Sequence, residues 1–372
     1  WVLKSTDEIK MDLEDDIMQL QQMSSNRHAT AFLNKIQHWE KLLNIITETI
    51  DVWQQVQRKW MYLESIFIGS DDIRMQLPDE AKKFEKIDKD FKAIMEATSK
   101  TPNVQSAAGS DKRLDDLNKI SSELDKRQKQ LSNYLDQKRG LFPRFFFISD
   151  GELLSILGSS DPTAIQEHML KLFDNCKELI FNRAGVVAGM VSDEGESYSF
   201  KNGVKPEGAV ESWMNRVQDE MRATLKSITK EAVFFYAKEE RMSWILKQIG
   251  MVTLVGTQIW WTWGVEDAFR KVKEGGKHAM KEESAKETKM LNDLIDIIRT
   301  DLDKLNRKKI NTLIILDVHA RDIVDRFVRD SILDAREFEW ESQLRFYWDR
   351  SVDDIRVRQC TGEFPYSYEY QG

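Results

Sequence analysis

An apolar stripe that begins at Phe32 constrains the fold of this 372-residue chain more than any other feature of its sequence. Its members lie alternately four and three positions apart, and they are Phe32, Ile36, Trp39, Leu43, Ile46, Ile50 and Trp53. That alternation puts every member on one face of an α-helix, and Trp60 and Phe67 continue the register. At about 1.5 Å per residue, the stripe predicts a rod roughly 50 Å long and an elongated helical protein.

Shorter helical stripes surround this rod in the sequence. Before it, Ser5 and Glu8 have the spacing of a capping box, which predicts a helix through Leu20. After it, the polar break at residues 69–72 precedes Pro78, which is expected to open another helix. The other predicted helices lie at 114–135, 210–235, 291–305 and 316–327 and around Trp244 and Trp260. Helices separated by short polar breaks favour antiparallel bundles.

Residues 140–209 lack a continuous helical period and are interpreted as a connector. The aromatic run Arg144–Ile148 is predicted to be extended, and Ser149 begins a second Ser-x-x-Glu capping pattern. A helix is expected around residues 165–176, with Cys176 as a buried small residue on its apolar face.

One small β-hairpin insertion and an extended C-terminal segment complete the predicted fold, which is otherwise mainly α. Residues 178–201 alternate short β-rich runs with turns that contain glycine, which is the signature of two or three short strands. Beyond Trp348 the apolar spacing changes from helical to period two. The predicted parts are an N-terminal bundle at 1–139, the connector at 140–209, a C-terminal helical bundle at 210–362 and an extended lead-in at 363–372.

The composition argues against several classes of function. Hydrophobic residues make up 41% and charged residues 32%, which is typical of a soluble chain with a substantial core. A net charge of −8 argues against a binder of nucleic acid or of anionic membranes. Two cysteines, Cys176 and Cys360, cannot form a disulfide framework, which favours a reducing, intracellular compartment. The chain begins at Trp1 and ends in an aromatic run, so both termini are expected to be cut from a longer protein.

No motif predicts a catalytic residue, a cofactor site or a metal site. Gly275–Lys277 is a fragment of a phosphate-binding loop without its first glycine and its hydroxyl residue, so a solvated loop is expected. His319 has no second His or Cys within helical reach, which favours a surface or structural role. The cluster of Trp260, Trp261 and Trp263 could stack a ligand base, but three aromatic residues in a helical region more often fill a core or a helix–helix interface. Asp317 and Arg321 begin a series of i,i+4 pairs that predicts a solvated helix face.

Several local strings resemble the dynein heavy chain family, and they occur in the family's order along essentially the whole chain. They are Asp51–Glu64, Phe142–Asp150 with Leu153–Leu157, Asp317–Asp322, Phe338–Trp348 and Tyr366–Gly372. Gly151 departs from the acidic residue that the family usually has at this position. The string Thr257–Thr262 is more similar to axonemal members than to cytoplasmic ones.

The resemblance implies the linker of a dynein motor, an elongated arch of helical bundles that lies across a ring of AAA modules. In that family the linker bends when the first module binds ATP and straightens as products leave. The implied partners are the AAA ring of the same heavy chain, the dynein tail with its associated chains, and the microtubule only through the parent chain. ATP and Mg belong to the ring, so no cofactor, metal or catalytic residue is carried over. The implied location is the cytoskeleton of a cilium or flagellum.

A lever needs stiff bodies and one localised weak point. Because Gly140 and Pro143 interrupt the helical pattern, we predict that bending is concentrated within residues 135–215. A static, spectrin-like adaptor rod is the alternative, although the sequence shows no regular repeat of that kind. An ATPase in its own right is opposed by the missing phosphate-binding loop.

Overall fold

The structure is a computed structural model that describes residues 1–69 and 71–371. Ser70 of the predicted break and Gly372 of the predicted lead-in lie outside the described residues. The chain divides into two compact units, Trp1–Ala164 (unit 1) and Ile165–Gly372 (unit 2). Their boundary falls within the predicted connector at 140–209, and the division into bundles and connector stays a prediction.

The described residues of unit 1 form α-helices joined by short turns and 3-10 segments. The α-helices are α1 (Asp7–Ser24), α2 (Leu33–Phe67), α3 (Asp71–Gln76), α4 (Pro78–Lys100), α5 (Val104–Ala108), α6 (Asp111–Leu141) and α7 (Asp150–Leu157). The helices predicted to open at Pro78 and to contain residues 114–135 are therefore confirmed.

α2 is the long rod that the apolar stripe predicted, with 35 residues, and α1, α4, α5 and α6 pack against it. Trp53 and Leu63 are buried along its length. The indole Nε1 of Trp60 donates to Oδ1 of Asp88 on α4 at 2.9 Å, and its ring centroid lies 5.0 Å from that of Phe91. A large aromatic ring can be buried here because its one polar atom has a partner.

The first part of the stripe does not lie in the core. Phe32 belongs to a short 3-10 helix that precedes α2, and both Phe32 and Trp39 are exposed. The apolar cluster that joins α1, α2 and α5 contains Leu42 and Ile46 but neither of these aromatic side chains. Helical spacing identifies a face, whereas burial also needs a neighbouring helix to cover it.

Two local predictions for unit 1 are wrong. Ser5 does not cap α1, because Thr6 occupies the N-cap position and the Ser5 hydroxyl donates to Asp7 instead. The aromatic run after Phe142 is not extended, because Pro143 opens a 3-10 helix at Pro143–Phe147. Proline fixes φ near helical values at such a position, which favours this turn.

Unit 2 combines helices with two small sheets. Its helices and strands are α8 (Met169–Leu172), β1 (Cys176–Phe181), β2 (Val187–Ser192), β3 (Ser197–Val204), α9 (Val210–Tyr236), α10 (Arg241–Lys247), α11 (Gly250–Lys273), α12 (Ala279–Ile298), α13 (Lys304–Asp330), α14 (Phe338–Glu341), β4 (Arg345–Asp349), β5 (Asp354–Gln359) and β6 (Gly362–Pro365). The mainly α fold with a small β insertion is confirmed.

The first sheet is the predicted insertion, and β2 pairs antiparallel with β1 and with β3. Cys176 is fully buried but begins β1, so the helix predicted to extend to this residue is wrong. α8 ends at Leu172, and Asn175 has a left-handed φ of 54° that turns the chain into the strand. Burial raises the pKa of the Cys176 thiol to about 12.

The second sheet, with strand order β4-β5-β6, was not predicted. Trp340, Leu344 and Trp348 lie four positions apart and imitate a helical stripe. In the structure α14 ends at Glu341, and Trp348 pairs with Ile355 across β4 and β5. The sheet replaces the last part of the helical bundle predicted at 210–362.

α11 is central to unit 2, since it contacts α9, α12, α13 and β4. One core cluster brings Trp261 of α11 against Trp340 of α14, with ring centroids 5.3 Å apart. The stripe predicted at 291–305 is interrupted, because α12 ends at Ile298 and Asp303 caps α13 by accepting from the backbone of Asn306.

Ser149 provides a direct test of local helix capping. Its hydroxyl accepts from the backbone N–H of Glu152, and the Glu152 carboxylate accepts from the backbone N–H of Ser149, so the second predicted capping box is confirmed. We expect Ser149→Ala to lower the free energy of unfolding by about 1 kcal/mol. Ser5→Ala is the matched control and should change it by less than about 0.5 kcal/mol. Equal losses in urea denaturation would contradict this assignment of the two serines.

Candidate functional site

The C-terminal segment after β6 is held on unit 2 by buried tyrosines. Tyr368 is buried, with a left-handed φ of 51°, and its hydroxyl donates to Oδ1 of Asp354 on β5 at 2.7 Å. The rings of Tyr366 and Tyr368 meet edge to face, 5.0 Å apart. An L-residue keeps a left-handed conformation at an energetic cost, so the surrounding contacts must hold it there.

Tyr370 holds the same segment against the first sheet. Its side chain is fully buried, and its ring centroid lies 4.7 Å from that of Tyr198 on β3. Its hydroxyl lies 3.2 Å from the backbone oxygen of Glu196 and 3.3 Å from Oε1 of the same residue. Burial raises the pKa of Tyr370, so its hydroxyl stays protonated and can donate.

Glu196 extends this contact to the helical part of unit 2. Its Oε2 accepts from the backbone N–H of Gly250, the first residue of α11, at 2.8 Å. Asn175 adds a further tie, since its Nδ2 donates to the backbone oxygen of Gln371 at 3.3 Å. The segment at 366–371 is thus bonded to both sheets and, through Glu196, to the central helix. We call this arrangement the C-terminal anchor.

A buried ion pair joins the helices of the same unit. Nη1 of Arg241 on α10 lies 2.8 Å from Oδ2 of Asp317 on α13, and Nη2 donates to Oδ1 at 3.1 Å. The guanidinium Nε also donates to the hydroxyl of Tyr236 on α9 at 3.1 Å. A two-point contact of this kind fixes orientation as well as distance. Three helices are therefore locked together by one arginine.

The structure corrects the prediction for Asp317, which is only 2% exposed and does not pair with Arg321 on a solvated face. Arg321 pairs instead with Asp322 and, more loosely, with Asp325. The signal was present in the sequence. The buried positions of α13 are Ile310, Leu313, Asp317, Ala320, Ile323, Val324 and Phe327, so Asp317 interrupts an apolar stripe.

Glu287 of α12 lies in the same interior and is 2% exposed. Burial raises its pKa to about 8, and the nearby charges of Asp317 and Glu283 add to the effect. The charged and titratable groups around it are Tyr236 of α9, Arg241 of α10, Glu283 and Lys286 of α12 and Asp317 of α13. At neutral pH this carboxyl is therefore largely protonated.

The other residues singled out from the sequence do not converge. His319 is exposed on α13, and Gly275 lies in the turn between α11 and α12 with a φ of 100°. Among residues 1–69 and 71–371 no group of three His, Cys, Asp or Glu is arranged to hold a metal ion. In the same residues no helix is long and apolar enough to cross a bilayer.

Glu287 makes the free energy of unfolding of unit 2 depend on pH, and the sign of this dependence follows from the burial of its carboxyl group. The folded state holds this proton up to about pH 8, whereas the ordinary pKa is 4.5. Between these values the unfolded state binds fewer protons, so stability falls as pH rises, by up to about 1.4 kcal/mol per pH unit. Glu287→Gln should remove this contribution and flatten the profile. Urea denaturation of the 372-residue chain at several pH values measures it.

The control is Glu282→Gln, which removes an exposed carboxyl from the same helix. It should leave the pH profile of the free energy of unfolding close to that of the wild type. A Glu287→Gln profile parallel to the wild-type profile would contradict the burial of an ionisable carboxyl at this position.

The comparisons with known proteins agree with the resemblance in the sequence. Residues 1–232 match the family model for the dynein heavy chain, N-terminal region 2. The chain is 59% identical over 373 residues to the dynein-1-alpha heavy chain of the flagellar inner arm I1 complex from Chlamydomonas reinhardtii. It is 53% identical over 377 residues to dynein axonemal heavy chain 10 from Homo sapiens, and 40% identical over 378 residues to a ciliary dynein beta chain from Heliocidaris crassispina.

Each of these alignments covers 100% of the chain and 8% of the relative. The chain therefore spans less than a tenth of the length of these heavy chains, and the matched family model describes their N-terminal region. By the family model and by identity along its whole length, this chain belongs to the dynein heavy chain family.

Proposed function

We propose that the chain is the mechanical linker of an axonemal dynein, a lever that an adjacent AAA ring remodels to produce the power stroke along microtubules. Its membership of the dynein heavy chain family supports a role in a motor. The ring of the same heavy chain binds ATP and Mg and carries out the hydrolysis. The tail with its associated chains lies on the N-terminal side, and the microtubule is reached only through the rest of the heavy chain.

The axoneme of a cilium or flagellum is the proposed location. The relatives named above are a flagellar inner arm chain, an axonemal chain and a ciliary chain. All three are similar to this chain along its whole length, so the same setting is the simplest inference for it.

The C-terminal anchor is the observation that carries the lever proposal. Force that reaches the chain beyond Gln371 acts on a segment in which Tyr368 and Tyr370 are buried in unit 2. Tyr368 passes load to β5, while Tyr370 passes load to β3 and, through Glu196, to α11. Several contacts must break together before the segment detaches, so unit 2 moves as a body when the segment is pulled.

Stiffness within each unit is the second requirement of a lever. In unit 1, α2 offers a continuous 35-residue helix with three other long helices packed along it. In unit 2, the buried Arg241–Asp317 pair fixes α10 to α13. The proposed weak point lies between such bodies, within residues 135–215.

Energy transfer between labels in the full heavy chain tests the lever. Cysteines are placed at the exposed positions Ser122 of unit 1 and Arg222 of unit 2 after Cys360→Ser removes the exposed native thiol. We expect the transfer efficiency to differ between the ATP-bound and nucleotide-free states of the ring. The control pair, Arg222 with Asp293, lies within unit 2 and should give the same efficiency in both states.

A constant efficiency for the first pair would favour the static adaptor rod over the lever. Nucleotide binding by the 372-residue chain alone would instead favour an ATPase in its own right. Each outcome removes the lever proposal and leaves family membership intact, because that rests on sequence.

The C-terminal anchor also predicts a specific uncoupling variant. Tyr370→Ala removes a fully buried ring and should lower the free energy of unfolding of unit 2 by about 3 kcal/mol or more. Tyr370→Phe keeps the ring and removes only the hydroxyl, at a cost of about 1 kcal/mol. In the full heavy chain we expect Tyr370→Ala to slow microtubule gliding strongly while ATP turnover continues. Tyr370→Phe should slow it much less.

A heavy chain that glides at the wild-type velocity with Tyr370→Ala would contradict force transmission through this residue. Amide hydrogen exchange over residues 366–371 is the accompanying measurement. It should accelerate in Tyr370→Ala, which shows that the segment has detached, and exchange in α6 should not change.

A further inference from the structure

An aromatic groove lies on the surface of unit 2, with α11 between α9 and β4. It has a volume of about 840 Å³. Its rings come from three elements, and they are Phe234, Trp260, Trp263, Phe346, Tyr347 and Trp348. We use the term aromatic groove for these six side chains. The proposed lever function does not use them.

The inner rings of the aromatic groove are held in place by the fold. Trp260 donates from Nε1 to the backbone oxygen of Val233 at 2.9 Å, and its ring stacks on Tyr236 at 5.4 Å and 13°. Tyr347 donates from its hydroxyl to Oε1 of Glu266 at 2.6 Å. Rings that are fixed before binding lose little conformational freedom when a ligand arrives.

The outer rings are open to solvent. Trp263 is 58% exposed and Phe234 is 57% exposed. Trp263 meets Trp260 edge to face, with centroids 5.4 Å apart, so the exposed ring continues the fixed ones. Exposed apolar patches of this kind mark interaction sites, and tryptophan is strongly enriched among residues that dominate binding energy.

The charges on the rim are positive once internal pairs are taken into account. Lys230 pairs with Asp353 at 2.6 Å, whereas the Glu266 carboxylate accepts only from the neutral hydroxyl of Tyr347 and so still counts as one negative charge. Lys238 lies 3.7 Å from the centroid of Phe234. For Lys238 and Arg350, the described residues contain no carboxylate within ion-pair distance. With Lys238 and Arg350 against the single carboxylate of Glu266, the rim keeps a net positive charge, which favours an acidic occupant.

The geometry of β4 argues against an added strand. β4 is an edge strand, but α11 packs against it, and the backbone N–H of Phe346 donates to Oγ1 of Thr262 on α11 at 3.1 Å. Because the outer edge is covered in this way, an occupant must be recognised by its side chains. A helix that lays its apolar face into a groove is recognised in that manner.

The segment at 366–371 is bound elsewhere on unit 2. Tyr368 and Tyr370 hold the segment at 366–371 on β5 and β3, as described for the C-terminal anchor. The segment that follows β6 therefore does not fill the aromatic groove.

We propose that the aromatic groove binds an acidic amphipathic helix of a separate polypeptide. Its apolar side chains lie against Trp263 and Phe234, and its carboxylates face Lys238 and Arg350. The site is an interaction surface on the linker and is independent of the force path through the C-terminal anchor.

Two synthetic peptides of about 16 residues serve as probes of the 372-residue chain. Both carry leucines at i, i+3, i+4 and i+7, and the remaining positions are mainly glutamate in one peptide and mainly lysine in the other. Fluorescence anisotropy of the labelled peptides measures the dissociation constant. We expect the glutamate peptide to bind at least tenfold more tightly than the lysine peptide, and to weaken as salt is added.

Surface variants assign the binding to the aromatic groove. Trp263→Ala should weaken binding of the glutamate peptide at least tenfold, and Lys238→Glu with Arg350→Glu should abolish the preference for glutamate. The matched controls are Ile315→Ala, an exposed apolar residue on α13, and Lys289→Glu, an exposed cation on α12. Both controls should bind like the wild type. Circular dichroism should show that the bound peptide gains helix.

Four results would overturn the proposal. The first is that the lysine peptide binds as tightly as the glutamate peptide. The second is that the Trp263→Ala variant binds the glutamate peptide as tightly as the wild type does. Sedimentation shows a dimer that Trp263→Ala dissociates, which would make a second copy the occupant. The last such result is that the full heavy chain does not bind the glutamate peptide although the 372-residue chain does. A segment of the same heavy chain would then be the occupant.

Discussion

Burial of apolar faces along long helices is the constraint on which the rest of this structure depends. α2 is far longer than a typical helix of a globular domain, and it remains ordered because neighbouring helices cover Trp53, Leu63 and the other buried members of its stripe. A helix held along its length in this way resists bending, since bending would separate many packed side chains at once. The lever function that we propose therefore begins with ordinary core packing.

Buried polar groups fix how the helices of this apolar framework are aligned with one another. The Arg241–Asp317 pair and the Trp60–Asp88 hydrogen bond each connect two different helices, and each requires a particular register between them. Sliding one helix past another would leave a buried charge or donor without a partner, which is costly. The C-terminal anchor is fixed in the same way, because the Tyr370 hydroxyl reaches Glu196 only when the segment at 366–371 lies in one position on unit 2.

Sequence patterns predicted the long helices well and the tertiary partners poorly. The stripe through Trp53 predicted α2, and the pattern at Ser149 predicted a true capping box, because both depend on near neighbours in the chain. The same pattern at Ser5 failed, since Thr6 took the N-cap position. The spacing of Cys176 and Trp348 fits a helix and predicts helices at both positions. Both residues lie in β-strands instead, because pairing with a neighbouring strand determines the local structure there and leaves no trace in local spacing.

The buried acids and the aromatic groove show why a site of this kind is hard to read from a sequence. Asp317 was placed on a solvated face because it has an arginine four residues later, although the apolar residues on either side of it predict burial. The groove depends on three elements far apart in the chain, so Phe234, Trp263 and Tyr347 share no local pattern. Its recognition required the packing of α9 and β4 against α11.

The central claim is that two stiff bodies move relative to each other when the neighbouring ring changes nucleotide. Electron cryomicroscopy of the full heavy chain in the ATP-bound and nucleotide-free states tests it most directly. We predict that unit 1 superposes as one body, that unit 2 superposes as another, and that the change between them arises near their boundary at Ala164 and Ile165, within the range 135–215. Superposition of the whole of residues 1–371 as one rigid body in both states would contradict the account.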